Sequence, residues 1–565
     1  MGAQLTGGTF VTAQQARIHA LFVRHRSMSV AARELGVSQI RVREALVQRE
    51  RNLLRDQGIR PPPLREMMLG DVATRFCDPP AGIGGRPPKH ARVEVRGADP
   101  AGSMDPGARH FANPAVGCRR FLVTSVVAGA ELHRGFWRNL QAYADRLDAD
   151  LVVHRIGAVG LVGGADARLR SLVRTDPVEI CGVVDVASDV RVSSQSTRPL
   201  DGAAVTRSAA WTLVPHPAVQ LETVPRLRSD DVRIRMTTGA ATIAGGGGRQ
   251  GLRADLGAVV VEVRDGVAHC RHVLAAADGP GSFHDLDVHV ADGVVATGRR
   301  VAAIVFGDVH HAHVDPAVAA ASWGLSDDGG RAPGSLVDRL RPRTMVFHDV
   351  CDFSARSHHD ARDPHRRFAL FVQGRDDVRA ELRATASFLA STRRAGCESV
   401  VVQSNHDAAL VRWLREADFR QDPVNARFFL ECSLALHARL ADGLGPDGLF
   451  EQTLRGLADD RLAGVRFLST GEGLEVAGVE CGIHGHAAAD GKRGGIQFFE
   501  AMGIRAVLGH SHRPTTRGGI CSAGVCQLAL DYARGSVTAW AVGHVIVHDD
   551  GARQHVIYGG GRFHA

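Results

Sequence analysis

The stretch VAAIVFGDVH, residues 301–310, holds the key to this chain. An apolar run, Ala302–Phe306, is spent in one step on Gly307-Asp308-Val309-His310. That is how a buried strand hands over to a loop at its C-terminal end. Four further islands repeat the design. Thr344–Phe347 leads to His348-Asp349-Val-Cys-Asp352, and Ser399–Val402 to Ser404-Asn405-His406-Asp407. Val476–Ile483 leads to His484-Gly-His486, and Ala506–Leu508 to Gly509-His510-Ser-His512. In chain order they supply Asp, His, Asp, Asn, His, His and His, and open α/β sheets place their sites at strand C-termini. A carboxylate that two cations can share, capped by imidazoles on either side, is the donor set of a two-metal hydrolase. Seventeen of the 28 histidines fall in residues 301–565, in keeping with that reading.

Outward from these islands the pattern is strand–loop–helix, with a helix expected over Asp377–Arg394. Residues 118–300 read as a mixed α/β accessory domain. Strands are expected at Phe121–Val127 and Leu151–Val153 around a helix at Phe136–Leu147, and the stretch 201–300 is richer in strands and turns, including Ala258–Arg264 and Val288–Val295. Gly245–Gly248 reads as a hairpin tip, not a phosphate cradle. Residues 61–117 form a Pro/Gly-rich linker; ten of the 23 prolines lie within 59–117.

Residues 1–60 read as helices. Val30, Ala31 and Leu35 share one apolar face, Gly36-Val37 makes a turn, Ser38 caps the next helix, and Val42, Ala45 and Leu46 give it a packing face. This is either a helix-turn-helix, with Arg41 and Arg43 on the recognition-type helix, or a plain helical hairpin with charged outer faces. Residues 1–110 carry 17 Lys+Arg against 10 Asp+Glu, an excess equal to the whole chain's net charge of +7. A basic surplus confined to one end points to a nucleic-acid partner.

With 565 residues and 44% apolar content, the chain suggests about three domains. No apolar run is long enough for a bilayer and no signal-peptide core is present, so a soluble protein of the cytoplasm, without a membrane partner, is expected. Ten scattered cysteines without a CxxC pair argue for reduced thiols.

The five islands together resemble the calcineurin-like metallophosphoesterase superfamily, whose pattern is D-x-H, G-D, G-N-H-D/E, H-G and G-H-x-H. The resemblance covers roughly 301–565. His348 and Ser404 stand where the family has glycine, and neither change removes a ligand. It implies a β-sandwich flanked by helices. It assigns one metal to Asp308, His310, Asp349 and His512, and a second to Asp349, Asn405, His484 and His510, with Asp349 as the bridge. His484 and His486 compete for one position, and the family pattern favours His484. It makes His406 the general acid that protonates the leaving oxygen, with Asp407 orienting it.

Around the core set, His311, His313, Arg356, His358, His359, His486, Lys492 and Arg493 are candidate phosphate or DNA contacts, with exposed polar loops as the alternative for each. Asp349-x-x-Asp352 is the version of the second motif found in the nuclease branch. The order helix-turn-helix, LVTS…HRGFWRNLQAYAD at 122–145, Thr237-Thr238-Gly239 and GDVHHAHVD resembles phage-encoded DNA-degradation metallophosphoesterases. The implied activity is a DNase using two divalent cations, with Mn²⁺ expected from the mixed O/N ligands and Mg²⁺, Fe²⁺ or Zn²⁺ as alternatives. DNA is the implied partner, in a bacterial or phage-infected cell, and a homodimer would fit the branch. The competing readings are a phosphatase or cyclic-nucleotide phosphodiesterase with a regulatory N-terminal module, and a DNA-binding regulator with a vestigial metal fold.

Overall fold

The computed structural model describes residues 110–112 and 117–565, apart from 158–161, 191, 202–208, 227–231, 244–254, 277–278, 327–329, 359, 361–362, 489–493 and 529–536; before residue 110 it describes only scattered positions between 18 and 52. The chain is mixed α/β and divides into two compact units, Met1–Gly102 and Ser103–Ala565. In the first unit, the described residues at 18, 20, 21, 31, 34, 35, 42, 44–48 and 52 are helical. Ala31, Val42 and Leu46 are fully buried, as the apolar period requires. Arg41, Arg43 and the expected turn at Gly36 lie outside the described residues, as does Gly245–Gly248.

The second unit is built on two large sheets. The six-stranded sheet runs Val465–Phe467, Glu398–Val401, Thr344–Phe347, Ala303–Val305, Gly543–Val547, Arg553–Ile557. Its first four strands are parallel, and the last two form an antiparallel hairpin against them. Ala303 and Val305 point to one face and Ile304 and Phe306 to the other, the period of two that a pleated strand imposes. On the first face, a core of Ala303, Val305, Val346, Val400 and Val545 is shared with Val479, Val507 and Cys521 of the other sheet. On the second face, Ile304, Phe306, Met345 and Phe347 pack against helices. The longest parts of that layer are Val378–Thr392 and Ala426–Ala441. The helix Val378–Thr392 buries Val378, Leu382, Ala386 and Leu389, spaced one turn apart, and Asp377 caps it through a bond from Ala380 N–H of 3.0 Å.

The second sheet has eleven strands and joins regions that the sequence pattern separates at residue 300. Glu475–Val476, Val479–Glu480, Ala506–Leu508, Ile520–Ser522 and Thr515–Arg517 carry the last two ligand islands. Thr515–Arg517 then pairs antiparallel with Leu221–Thr223, Thr515 opposite Glu222, and the sheet continues into the accessory region. The sequence boundary at 300 is therefore a change of hydrophobic pattern within one compact unit. A strand pair between distant segments leaves no local mark in either of them.

In the accessory region a five-stranded sheet forms a third layer. Its strand Cys118–Val127 sends Phe121 and Val123 toward the eleven-stranded sheet, and Leu122 and Val126 toward the helix Arg134–Leu147. The run Val288–Val295, expected to hold strands and turns, is a hairpin. Val288–Ala291 and Val294–Ala296 are joined by Asp292-Gly293, both at positive φ, which is the two-residue turn that suits the strand twist. Among the described residues, no helix is long and apolar enough to cross a membrane.

Candidate metal centre

All five islands leave the C-terminal ends of strands and meet at one edge of the two sheets. Backbone bonds lock the first two loops in register: Val309 N–H to His348 O (3.0 Å), His310 N–H to Asp349 O (2.7 Å) and His311 N–H to Val350 O (3.1 Å). Gly509 N–H donates to His484 O at 2.9 Å, joining the last two. The loops are bent hard to converge. His310, Asp349, His510 and His512 all hold positive φ, between 43° and 66°. For residues with a Cβ this is strained, and such strain persists where the surroundings over-determine it, most often at functional sites. Two glycines are sterically required. A Cβ on Gly509 would stand 2.5 Å from Asp308 Oδ1, and one on Gly307 2.7 Å from the Gly524–Val525 backbone.

Among the described residues the donor atoms fall into three groups, one of them His310, Asp352 and His406, and the other two share Asp349. Asp308, His310, Asp349 and His512 form the first; Asp349, His484 and His510 form the second, with the atoms of each group within 4.8 Å of one another. His512 Nε2 is 3.0 Å from Asp308 Oδ2 and 3.1 Å from His310 Nε2. Asp349 Oδ2 is 3.7 Å from His310 Nε2 and 3.3 Å from His484 Nε2, which in turn is 3.1 Å from Asn405 Oδ1. Asp308, His310, Asp349, His484 and His512 are buried. Despite these approaches, both Asp308 oxygens and Asp349 Oδ2 make no hydrogen bond of sound geometry. Buried carboxylate oxygens that converge with imidazole nitrogens and remain unsatisfied fit a cation far better than they fit one another. The residues present can therefore hold metal.

Electrostatics agree. Burial would raise the Asp349 carboxyl, but His484, His406 and His310 hold it well below the usual carboxylate range. Burial would depress His484, yet Asp349 and Asp308 push it up to about 9. With side chains alone, the cluster draws in positive charge. His510 and His348 go the other way, lowered to about 4 by burial and by the neighbouring His484.

The chain is similar to protein A1 of Escherichia phage T5, with 30% identity over 473 residues, 79% of this chain and 83% of that protein. It belongs to the protein A1 family. No family model matches the chain, and no solved structure matches it.

The remaining sequence-read residues of this A1-family chain are placed unequally. His484 lies in the second group. His486 does not, its ring being 5.4 Å from that of His484 and 6.2 Å from that of His510. His406 stands edge-on to His310, ring centroids 4.6 Å apart. The Asp407 carboxylate, read as its orienting partner, is turned to another loop instead, where it accepts from Cys351 N–H at 3.3 Å. The residue that holds His406 is Asp352, whose carbonyl accepts from His406 Nδ1 at 3.0 Å. The Asp352 carboxylate also reaches His310 Nδ1 (3.0 Å) and His313 Nε2 (3.2 Å). So the two ring nitrogens of His310 face different ways, one to the metal group and one to an orienting acid, a common arrangement for ligating imidazoles. The D-x-x-D spacing in the sequence marked Asp352, but its partners come from two other loops, His310 and His313 from the first island and His406 from the third.

Arg356 is not a free phosphate contact. It forms a two-pronged, largely buried ion pair with Asp422, both bonds 2.5 Å. His311 packs on Phe388, ring centroids 5.0 Å apart, and His358 lies against the Arg412 guanidinium at 3.1 Å. His359, Lys492 and Arg493 lie outside the described residues.

Proposed function

We propose that this A1-family chain is a two-metal phosphodiesterase of the calcineurin-like metallophosphoesterase type, of phage lineage, and that its substrate is DNA. The observation that carries the reading is the pair of buried donor groups sharing Asp349, in the order Asp308, His310, Asp349, Asn405, His484, His510, His512. Asp308, His310, Asp349 and His512 would hold one cation, and Asp349, Asn405, His484 and His510 the other. When bound, two divalent cations supply an activated water and neutralise charge on the phosphate.

The chain's own residues do the rest. His406 donates its Nδ1–H to the Asp352 carbonyl, which fixes the tautomer and leaves Nε2 as the nitrogen that exchanges a proton. Burial alone would depress this imidazole, but Asp349 and Asp352 outweigh it and raise its pKa. A raised pKa favours the protonated form, the one that can give a proton to the leaving oxygen. Asp352 steadies both this acid and the ligand His310.

DNA is favoured over small phosphoesters by the basic surplus of residues 1–110, by the large accessory region, and by the Asp349-x-x-Asp352 spacing. One gel tests it: linear DNA, supercoiled DNA and a chromogenic phosphate monoester, each with Mn²⁺ and with EDTA. Mn²⁺-dependent loss of DNA is expected. Hydrolysis of the monoester with both DNAs intact would make the chain a phosphatase.

A further inference from the structure

The Gly509–His512 turn also borders a space that Asp349 does not line. There an open cavity of about 320 Å³ is lined by His510 and Ser511 of the turn, by the helix Ile496–Glu500 and by Glu222 of the accessory strand. Its volume lies at the lower end of small-molecule sites, which run from about 300 to 1,000 Å³. The wall is mixed. Phe499 and Leu508 contribute apolar surface, while Gly494-Gly495 presents backbone.

Its charges are nearly all taken. Glu222 pairs with Arg235, and Arg517 with Glu500 (3.0 Å) and Asp201 (3.1 Å). Arg513 is the exception. It lines the cavity, is exposed, and its guanidinium makes no hydrogen bond or close ion pair with any described residue, although its charge acts on the Glu222 carboxylate across the cavity. A guanidinium free of such partners, one residue beyond the ligand His512, in a partly apolar cavity that also touches His510, is suited to a phosphodiester with an attached base. The accessory region holds the far wall in place, because Thr515 pairs with Glu222 and Thr516 with Leu221.

We propose that this cavity is the subsite for the nucleotide unit next to the scissile phosphate. Arg513 holds the neighbouring phosphodiester, and the base rests on the Phe499–Leu508 wall. The proposal rests on the nuclease reading above. It also explains why the region 118–300 is built into the catalytic unit, since Glu222 and its strand complete the substrate site.

Two variants test it from different directions. Arg513→Gln removes the contact. Gly495→Phe fills the space, and it does so without a clash, because a Cβ at Gly495 has nothing within 4 Å and its φ of −164° is ordinary extended backbone. Each is compared with wild type on fluorescein-labelled hexathymidylate and on bis(p-nitrophenyl) phosphate, both with Mn²⁺. Binding of the labelled oligonucleotide is followed by polarisation in EDTA. The ratio of kcat/KM for the oligonucleotide to that for the small diester should fall roughly tenfold to hundredfold in both variants, the worth of one charge-assisted hydrogen bond. The Kd in EDTA should rise by a similar factor for Arg513→Gln, with part of the loss recovered in Arg513→Lys. If wild type cleaves the oligonucleotide and both variants keep its ratio and affinity, the subsite is overturned while the nuclease reading stands. If wild type hydrolyses the small diester but neither binds nor cuts the oligonucleotide, both fall.

Discussion

Replacing Asp349 by Asn keeps the shape of the side chain and removes one charge. The second donor group contains Asp349, His484 and His510 with Asn405 beside them, so Asp349 is its single carboxylate. The first group keeps Asp308. At an effective dielectric constant of about 20, two unit charges 4 Å apart attract by about 4 kcal/mol. Losing that much weakens binding on the order of 10³-fold, since about 1.4 kcal/mol is a factor of ten. On the two-metal proposal the variant should therefore bind one divalent ion fewer than wild type, and hydrolysis should fall below detection. The assay is metal stoichiometry by equilibrium dialysis and elemental analysis, with activity on the same samples. A thermal melt in EDTA serves as the check that the variant is folded. A folded variant that keeps two ions and most of the activity would refute the bridging role of Asp349.

His406→Asn should keep both metals and lower turnover by roughly 10²–10⁴-fold on DNA, with a smaller deficit on a substrate whose leaving group needs no proton; loss of metal instead would make His406 a ligand. Gly509→Ala should displace Asp308, since the new Cβ would sit 2.5 Å from its Oδ1, and metal affinity measured by titration should drop at least roughly tenfold with the fold retained. Without metal, His484 is raised to about 9 from an ordinary value of 6.5, so its ion pair with Asp349 contributes stability that is fully present below about 6.5 and is lost as pH rises through about 9. Melts in EDTA should show wild type losing more stability than Asp349→Asn across that window, and parallel curves would contradict the pairing. Deleting residues 1–60 should spare cleavage of short oligonucleotides but weaken binding to long duplex and flatten its salt dependence, each lost phosphate contact removing about 0.9 from the log–log slope. Equal slopes for the two proteins in a titration at several salt concentrations would take DNA binding away from that segment.

The sequence by itself determined what local pattern can carry. Each ligand island follows an apolar run, and a run of alternating or continuous apolar residues is legible as a strand without knowing its neighbours. That is why Asp308, Asp349, Asn405, His484 and His510 could be placed at strand ends, and why helices were legible over Asp377–Arg394 and, from its one-turn spacing, over Phe136–Leu147, where the structure has Val378–Thr392 and Arg134–Leu147. The tertiary structure decided everything that depends on which distant segments meet. It put His484, not His486, beside Asp349 and Asn405, although both flank the same glycine. It gave His406 to the Asp352 carbonyl and turned its sequence neighbour Asp407 to the Cys351 N–H of another loop. It paired Arg356 with Asp422, 66 positions away, and so removed a cation that looked available. It also ran one sheet through the pattern change at residue 300, bringing Glu222 to the wall of a cavity beside His510, where the Arg513 guanidinium faces the open space. Propensity and period are properties of neighbours along the chain, whereas ion pairing, strand partners and cavities are set by three-dimensional distance, which no single segment encodes.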